Sequence, residues 1–176
     1  PQAGGVMPSL GTAAMLAKNA TYSSSGDAIN NRKFQLLGDP ALTLAFPVYK
    51  VVTDSINGKA VTAGADTLKG LGTYTVKGHM EDAQGNPVNN YNGTLYTTVF
   101  DQPAIQKTRG NDAGSQAAAY SLQHNILFQG TQTVAGGRFS LTFVAPRDIR
   151  EGDGKGKISY YTSNDVVDGN GYFDNF

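Results

Sequence analysis

From position 48 onward, apolar and polar residues alternate in short runs: 48–56, 72–83, 93–100, 120–128, 138–145 and 157–163. Alternation at period two is the mark of a half-buried strand, so at least six strands are predicted. Asn57-Gly58 stands between two such runs, and both residues tolerate the positive φ that a type I′ turn demands at its two central positions. Gly85-Asn86 and Gly136-Gly137 provide similar turns. Strands of this length, joined by turns with no helical pattern between them, predict an antiparallel sandwich. Tyr74, Val76 and Met80 share one strand face and should be core, while Thr75, Lys77, His79 and Glu81 should be wet. Phe139, Leu141 and Phe143 likewise share a core face. The polar stretch 102–119 is too long for a tight turn and is expected to be a mobile loop.

The first 47 residues follow another pattern. Leu10, Ala13, Met15, Leu16 and Ala17 lie among good helix formers, predicting one short helix over 9–20 that ends at Asn19. A polar stretch, 21–32, leads into Phe34, Leu36 and Leu37, a strand-sized run stopped by Gly38-Asp39-Pro40; Leu42, Leu44 and Phe46 follow at period two. Such a fragment cannot bury its own faces. The expected organisation is therefore a remnant of a preceding domain over 1–47 and a sandwich over 48–176.

Composition narrows the function classes. At 176 residues the chain holds one core and a small appendage. Lys plus Arg balance Asp plus Glu at 14 each, so no net field favours nucleic acid or an anionic membrane surface. The chain contains no cysteine, which removes disulfides, thiolate metal sites and a cysteine nucleophile. No run approaches the roughly 20 apolar residues of a membrane helix, and the first residues lack the basic and apolar blocks of a signal peptide. No direct membrane insertion and no nucleic-acid partner are expected.

Candidate chemistry is sparse. His124 lies on the side of Tyr120, Leu122, Ile126 and Phe128 and reads as a satisfied core or edge histidine, and His79 as a solvated strand residue. No nucleophile elbow, P-loop or H-E-x-x-H motif occurs. Oxygen donors at Asp165, Asp168, Asn170 and Asp174 could surround a hard cation such as calcium, but their spacing is not that of an EF-hand loop and an ordinary Gly/Asn turn is the better reading. The stretches 100–103 and 151–156 have the composition of ligand loops and equally of plain connectors. The nine tyrosines are spread through strands, which gives no support to a nucleic-acid or sugar platform. No catalytic, cofactor-binding or metal-binding residue is assigned, and no cofactor is expected.

Several ordered segments carry a family resemblance. The run Asn31-Arg32-Lys33-Phe34-Gln35-Leu36-Leu37-Gly38-Asp39-Pro40-Ala41 resembles the last strand of the caspase-like domain in gingipain-type cysteine peptidases, closed by an L-x-G-D-P stretch. Ile56-Asn57-Gly58-Lys59, Asp66-Thr67-Leu68, Asn92-Gly93-Thr94-Leu95-Tyr96, Phe143-Val144-Ala145-Pro146-Arg147-Asp148-Ile149 and Gly156-Lys157-Ile158-Ser159-Tyr160 are similar to the region behind that domain in the C-terminal signal peptidases, or sortases, of the type IX secretion system of Bacteroidetes.

The resemblance implies an immunoglobulin-like domain behind the end of a caspase-like domain, in a parent at the outer-membrane cell surface. That parent would remove C-terminal sorting domains from secreted cargo and help attach the cargo to anionic lipopolysaccharide. The family's catalytic His and Cys lie upstream, so none maps onto this chain. Two function classes follow. One is a non-catalytic accessory module that partners the preceding peptidase domain in the same chain, and through it cargo or other secretion components. The other is an autonomous binding sandwich that recognises cargo protein or glycan through loops such as 102–119.

Overall fold

A computed structural model of the chain describes residues 7–64, 67–150, 152 and 154–176. The chain divides into two compact units, Pro1–Phe46 and Pro47–Phe176.

In the first unit, α1 (Leu10–Ser25) is longer than the alternation of apolar residues implies. Ser9 caps its start by accepting from the Thr12 N–H at 3.3 Å. The helix continues through the polar residues after Asn19 because hydroxyls bond back to the preceding turn: Thr21 to the Ala17 carbonyl at 2.9 Å and Ser25 to the Thr21 carbonyl at 2.8 Å. It stops at Gly26, whose left-handed backbone (φ 66) returns an N–H to the Tyr22 carbonyl. A second helix that the pattern does not announce, α2 (Ala28–Lys33), is capped by Asp27. The apolar runs on either side of Gly38-Asp39-Pro40 are not strands; an isolated bridge from Ser9 to Thr43 is the one β pairing formed among their described residues. A period-two stripe becomes a strand only when a neighbour supplies its ladder, and without one Phe34, Leu37, Leu42, Leu44 and Phe46 stay exposed, Leu37 to 90%.

The second unit contains β1 (Tyr49–Ile56), β2 (Lys59–Ala60), β3 (Thr73–Glu81), β4 (Gly93–Phe100), β5 (Ala104–Lys107), β6 (Ala119–Leu122), β7 (Ile126–Val134), β8 (Arg138–Val144), β9 (Lys157–Ser163) and β10 (Asp168–Phe173). The fold is mainly β, a β-sandwich. Its sheet runs β7-β4-β9-β10-β1-β3-β8, with β2 added to β1. Pairing is antiparallel except where β1 lies parallel to β10.

The sheet folds over on itself. Tyr160 on β9 and Phe139 on β8 are four places apart in strand order, yet their ring centroids are 5.5 Å apart. The Tyr160 hydroxyl also reaches Thr53 on β1 at 2.8 Å. Between the layers lie Val51, Val76, Met80, Leu95, Val99, Leu141 and Ile158, all buried. The expected core faces are thus the observed ones: Tyr74, Val76, Met80, Phe139, Leu141 and Phe143 are all buried. Inside, the Tyr91 and Thr162 hydroxyls pair at 3.1 Å.

Three expectations about strands change. The run 120–128 is not continuous, because residues 123–125 leave the strand geometry and separate β6 from β7. The stretch 102–119 is not a loop throughout; its ends, with Tyr120–Leu122, form the two-stranded ribbon β5-β6. The Gly/Asn-rich end is not a simple turn but contains β10, which occupies the middle of the sheet. Glycine makes that position possible: a Cβ at Gly171 would strike the Val51 carbonyl, and one at Gly169 would meet the Met80 methyl at 2.9 Å. The Asn57-Gly58 turn forms as its residues predict, with φ of 51 and 80 between β1 and β2.

Phe139→Ala or Phe143→Ala should cost about 3–5 kcal/mol as deletions of a buried aromatic, whereas Lys77→Ala on the wet face should cost under about 0.5 kcal/mol. Urea unfolding of the three variants checks this; equal losses would contradict the face assignment.

Burial also raises the Tyr160 phenol well above its ordinary value of 10.0, and that of Tyr91 in the same direction. The neutral phenol is therefore favoured by folding. Its contribution is complete below the unfolded-state value of about 10 and is lost as pH rises from there through the folded-state value. Stability measured between about pH 9 and 12 should fall less steeply in Tyr160→Phe than in the parent chain.

Candidate functional site

The stretch 100–103 meets Arg150, Gly154 and Lys155 at one end of the sandwich, and Asp101 is at the centre of this junction. This residue follows the last residue of β4 and is buried. Its Oδ1 accepts the Gln102 N–H at 2.8 Å; its Oδ2 accepts the Arg150 N–H at 2.9 Å and the Asn125 side-chain amide at 3.0 Å. Its carbonyl accepts from Gln123 Nε2 at 2.7 Å, and the same amide also reaches the Lys155 carbonyl at 3.2 Å. Gln102 completes the join by donating to the Arg150 carbonyl at 2.8 Å and accepting the Gly154 N–H at 3.1 Å. Leu68, Gln102, Ile149, Arg150 and Phe176 surround a shallow cleft of about 280 Å³ beside this knot. Glu151 and Asp153 lie outside the described residues.

Chemically, the Asp101 carboxylate is a joint. Both oxygens are occupied by N–H donors. What it positions is the ribbon. Pro103 lies two residues on, Ala104 at the root of β5 is buried, and Gln123 and Asn125 hold the far end of β6. Beyond this root the side chains of β6 are all exposed.

His79 keeps the strand face that the pattern gives it, whereas His124 does not keep its place. His79 is half-buried and held from both sides: Nδ1 lies 2.8 Å from Asp54 Oδ1 and Nε2 lies 3.1 Å from Glu81 Oε1. The register of β1 against β3 shifts between Thr53 and Ser55, so Asp54 is the extra residue of a bulge that carries its carboxylate to the ring. The change of parity from Val51 and Thr53 to Ile56 among the buried positions is the trace of that bulge in the sequence. The carboxylates occupy opposite ring nitrogens and do not converge. His124, expected in the core or at an edge, is exposed in the connection from β6 to β7, because residues 123–125 leave the ladder there.

Among the described residues no three His, Cys, Asp or Glu side chains gather where a metal ion could sit. The candidate oxygen donors near the end of the chain are spread out: Asp165 sits at a left-handed turn residue (φ 67), while Asp168 and Asn170 lie along β10. Asn164, which the sequence reading passed over, organises that turn by accepting the Val166 and Val167 N–H groups.

No family model matches the chain, and no curated protein matches it. Among solved structures it is similar to dimeric latent PorU from Porphyromonas gingivalis, with 26% sequence identity and a TM-score of 0.62. That likeness covers 96% of this chain and 16% of PorU, so the chain spans about one sixth of the length of that protein. The sporulation control protein Spo0M of Bacillus subtilis matches at 13% identity and a TM-score of 0.40 over 74% of this chain and 49% of its own, too loosely to bear on function.

Asp101→Asn places an amide where three N–H groups point at a carboxylate. It should cost about 2–3 kcal/mol and speed amide hydrogen exchange at Gln102, Arg150 and the root of β5, while exchange in β3 is unchanged; exchange with mass detection reads both.

Proposed function

We propose that the chain is a non-catalytic accessory portion of a PorU-like peptidase: the last part of a caspase-like domain followed by an immunoglobulin-like sandwich. Its parent would remove C-terminal sorting domains from cargo of the type IX secretion system at the outer-membrane surface. The likeness to PorU over 96% of the chain carries this reading. It is supported by the ordered motifs shared with the gingipain-type peptidases, by the absence of cysteine from the chain, and by a His79 ring whose two nitrogens are already taken up by carboxylates.

The role proposed is docking. Phe34, Leu37, Leu42, Leu44 and Phe46 present apolar side chains to solvent in the first unit, the kind of surface that another layer of a domain covers. In the parent that layer is the caspase-like peptidase domain in the same polypeptide, and the sandwich serves to space or brace it. A second reading, a binding sandwich that contacts cargo protein or glycan, is favoured by one observation: the exposed ribbon β5-β6 that projects from the Asp101 knot.

Two measurements test the assignment. The purified chain, incubated with a protein carrying a type IX sorting domain, should leave it uncut by mass spectrometry, and cleavage above the buffer rate would end the non-catalytic reading. The chain mixed with a PorU-type caspase-like domain should form a complex by calorimetry, weakened at least about tenfold by Leu37→Asp; no heat of binding would remove the accessory role.

A further inference from the structure

The ribbon β5-β6 has an inner ladder and two open edges, and the hydrogen-bond pattern assigns each residue to one or the other. The Thr108 N–H donates to the Ala118 carbonyl at 2.9 Å, so 108 and 118 form a hydrogen-bonded pair. Along an antiparallel ladder such pairs alternate with pairs whose backbone groups point away from the partner strand. The register pairs Gln106 with Tyr120 and Ala104 with Leu122, so these carry the inner bonds. Ile105 and Lys107 then turn N–H and C=O to the open edge of β5, and Ala119 and Ser121 turn theirs to the open edge of β6. Neither strand pairs with any other among the described residues.

The two edges are not alike. That of β5 carries Lys107 and is preceded by Pro103, two devices that keep an edge from acquiring another strand. That of β6 reads Ala119-Tyr120-Ser121-Leu122, without charge, proline or glycine, and Tyr120 and Leu122 are 46% and 41% exposed on one face. Its root is held by the Asp101 knot through Gln123 and Asn125. A two-stranded ribbon is marginal by itself and gains most from a third strand.

We propose that the open edge of β6 is a strand-addition site, taking an extended, uncharged segment of another polypeptide whose alternate apolar side chains lie beside Tyr120 and Leu122. Main-chain bonds to Ala119 and Ser121 supply the attachment and the two exposed side chains the selectivity. The site stands on the ladder and is independent of the peptidase kinship.

The test uses the intact chain with a blocked eight-residue peptide of alternating valine and threonine. At saturation, amide exchange at Ala119 and Ser121 should slow at least about tenfold, and a peptide N-methylated on its pairing edge should have no effect. Ser121→Pro removes an outward donor without touching the inner ladder and should abolish the protection, whereas Ile105→Pro on the opposite edge should retain it. Slowing at Ile105 and Lys107 instead, slowing that survives Ser121→Pro, or no slowing at any peptide concentration would overturn the proposal. So would finding both amides already protected by pairing with a second copy of the chain.

Discussion

The sheet has two halves, β7-β4-β9 and β1-β3-β8, and β10 is the strand between them. Its place depends on the near approach of its backbone to Val51, Thr162 and Met80, a distance that a Cβ at Gly169 or Gly171 would not allow. With β10 seated, β9 and β1 come close enough for the Tyr160 hydroxyl to reach Thr53, and the sheet turns over so that Phe139 meets Tyr160. The layers then share one core. The parallel pairing of β10 with β1 follows from the same arrangement, since β10 returns antiparallel to β9 and enters beside a strand that runs its way.

At one end of the sandwich, connections from distant parts of the chain must be held together without strands. One buried carboxylate does this. Asp101 faces donors that lie 24 and 49 residues away in sequence, and because hydrogen bonds to a charged acceptor are stronger than neutral ones, a single residue can order three connections. The ribbon is consequently a built feature with a stiff root and an open tip. Asp54 illustrates a different use of a carboxylate: a bulge in β1 lifts it out of the ladder and turns His79 from a potential ligand into a bridged residue.

The proposed role is one of contact. The buried polar groups hold layers and loops, and the surface includes an open backbone edge on the ribbon in one unit and exposed apolar side chains, Phe34, Leu37 and Phe46, in the other. An extended polypeptide and a neighbouring domain are the partners proposed for such surfaces.

The sequence by itself determined the class and much of the core. Alternation placed Tyr74, Val76, Met80, Phe139, Leu141 and Phe143 inward because the pleat sends successive side chains to opposite faces, a rule that needs no neighbour. Asn57-Gly58 specified its turn because positive φ is a property of those residues themselves. Tertiary structure decided the rest. β10 was illegible because glycine and asparagine carry no strand propensity, and only its neighbours make that sequence a strand. The runs around Gly38-Asp39-Pro40 failed in the opposite direction, having the pattern of strands and no ladder to join. Asp101 and Asp54 look alike on the page; a buried knot and a bulge, each set by strands far away in sequence, make one a joint and the other a clamp on His79.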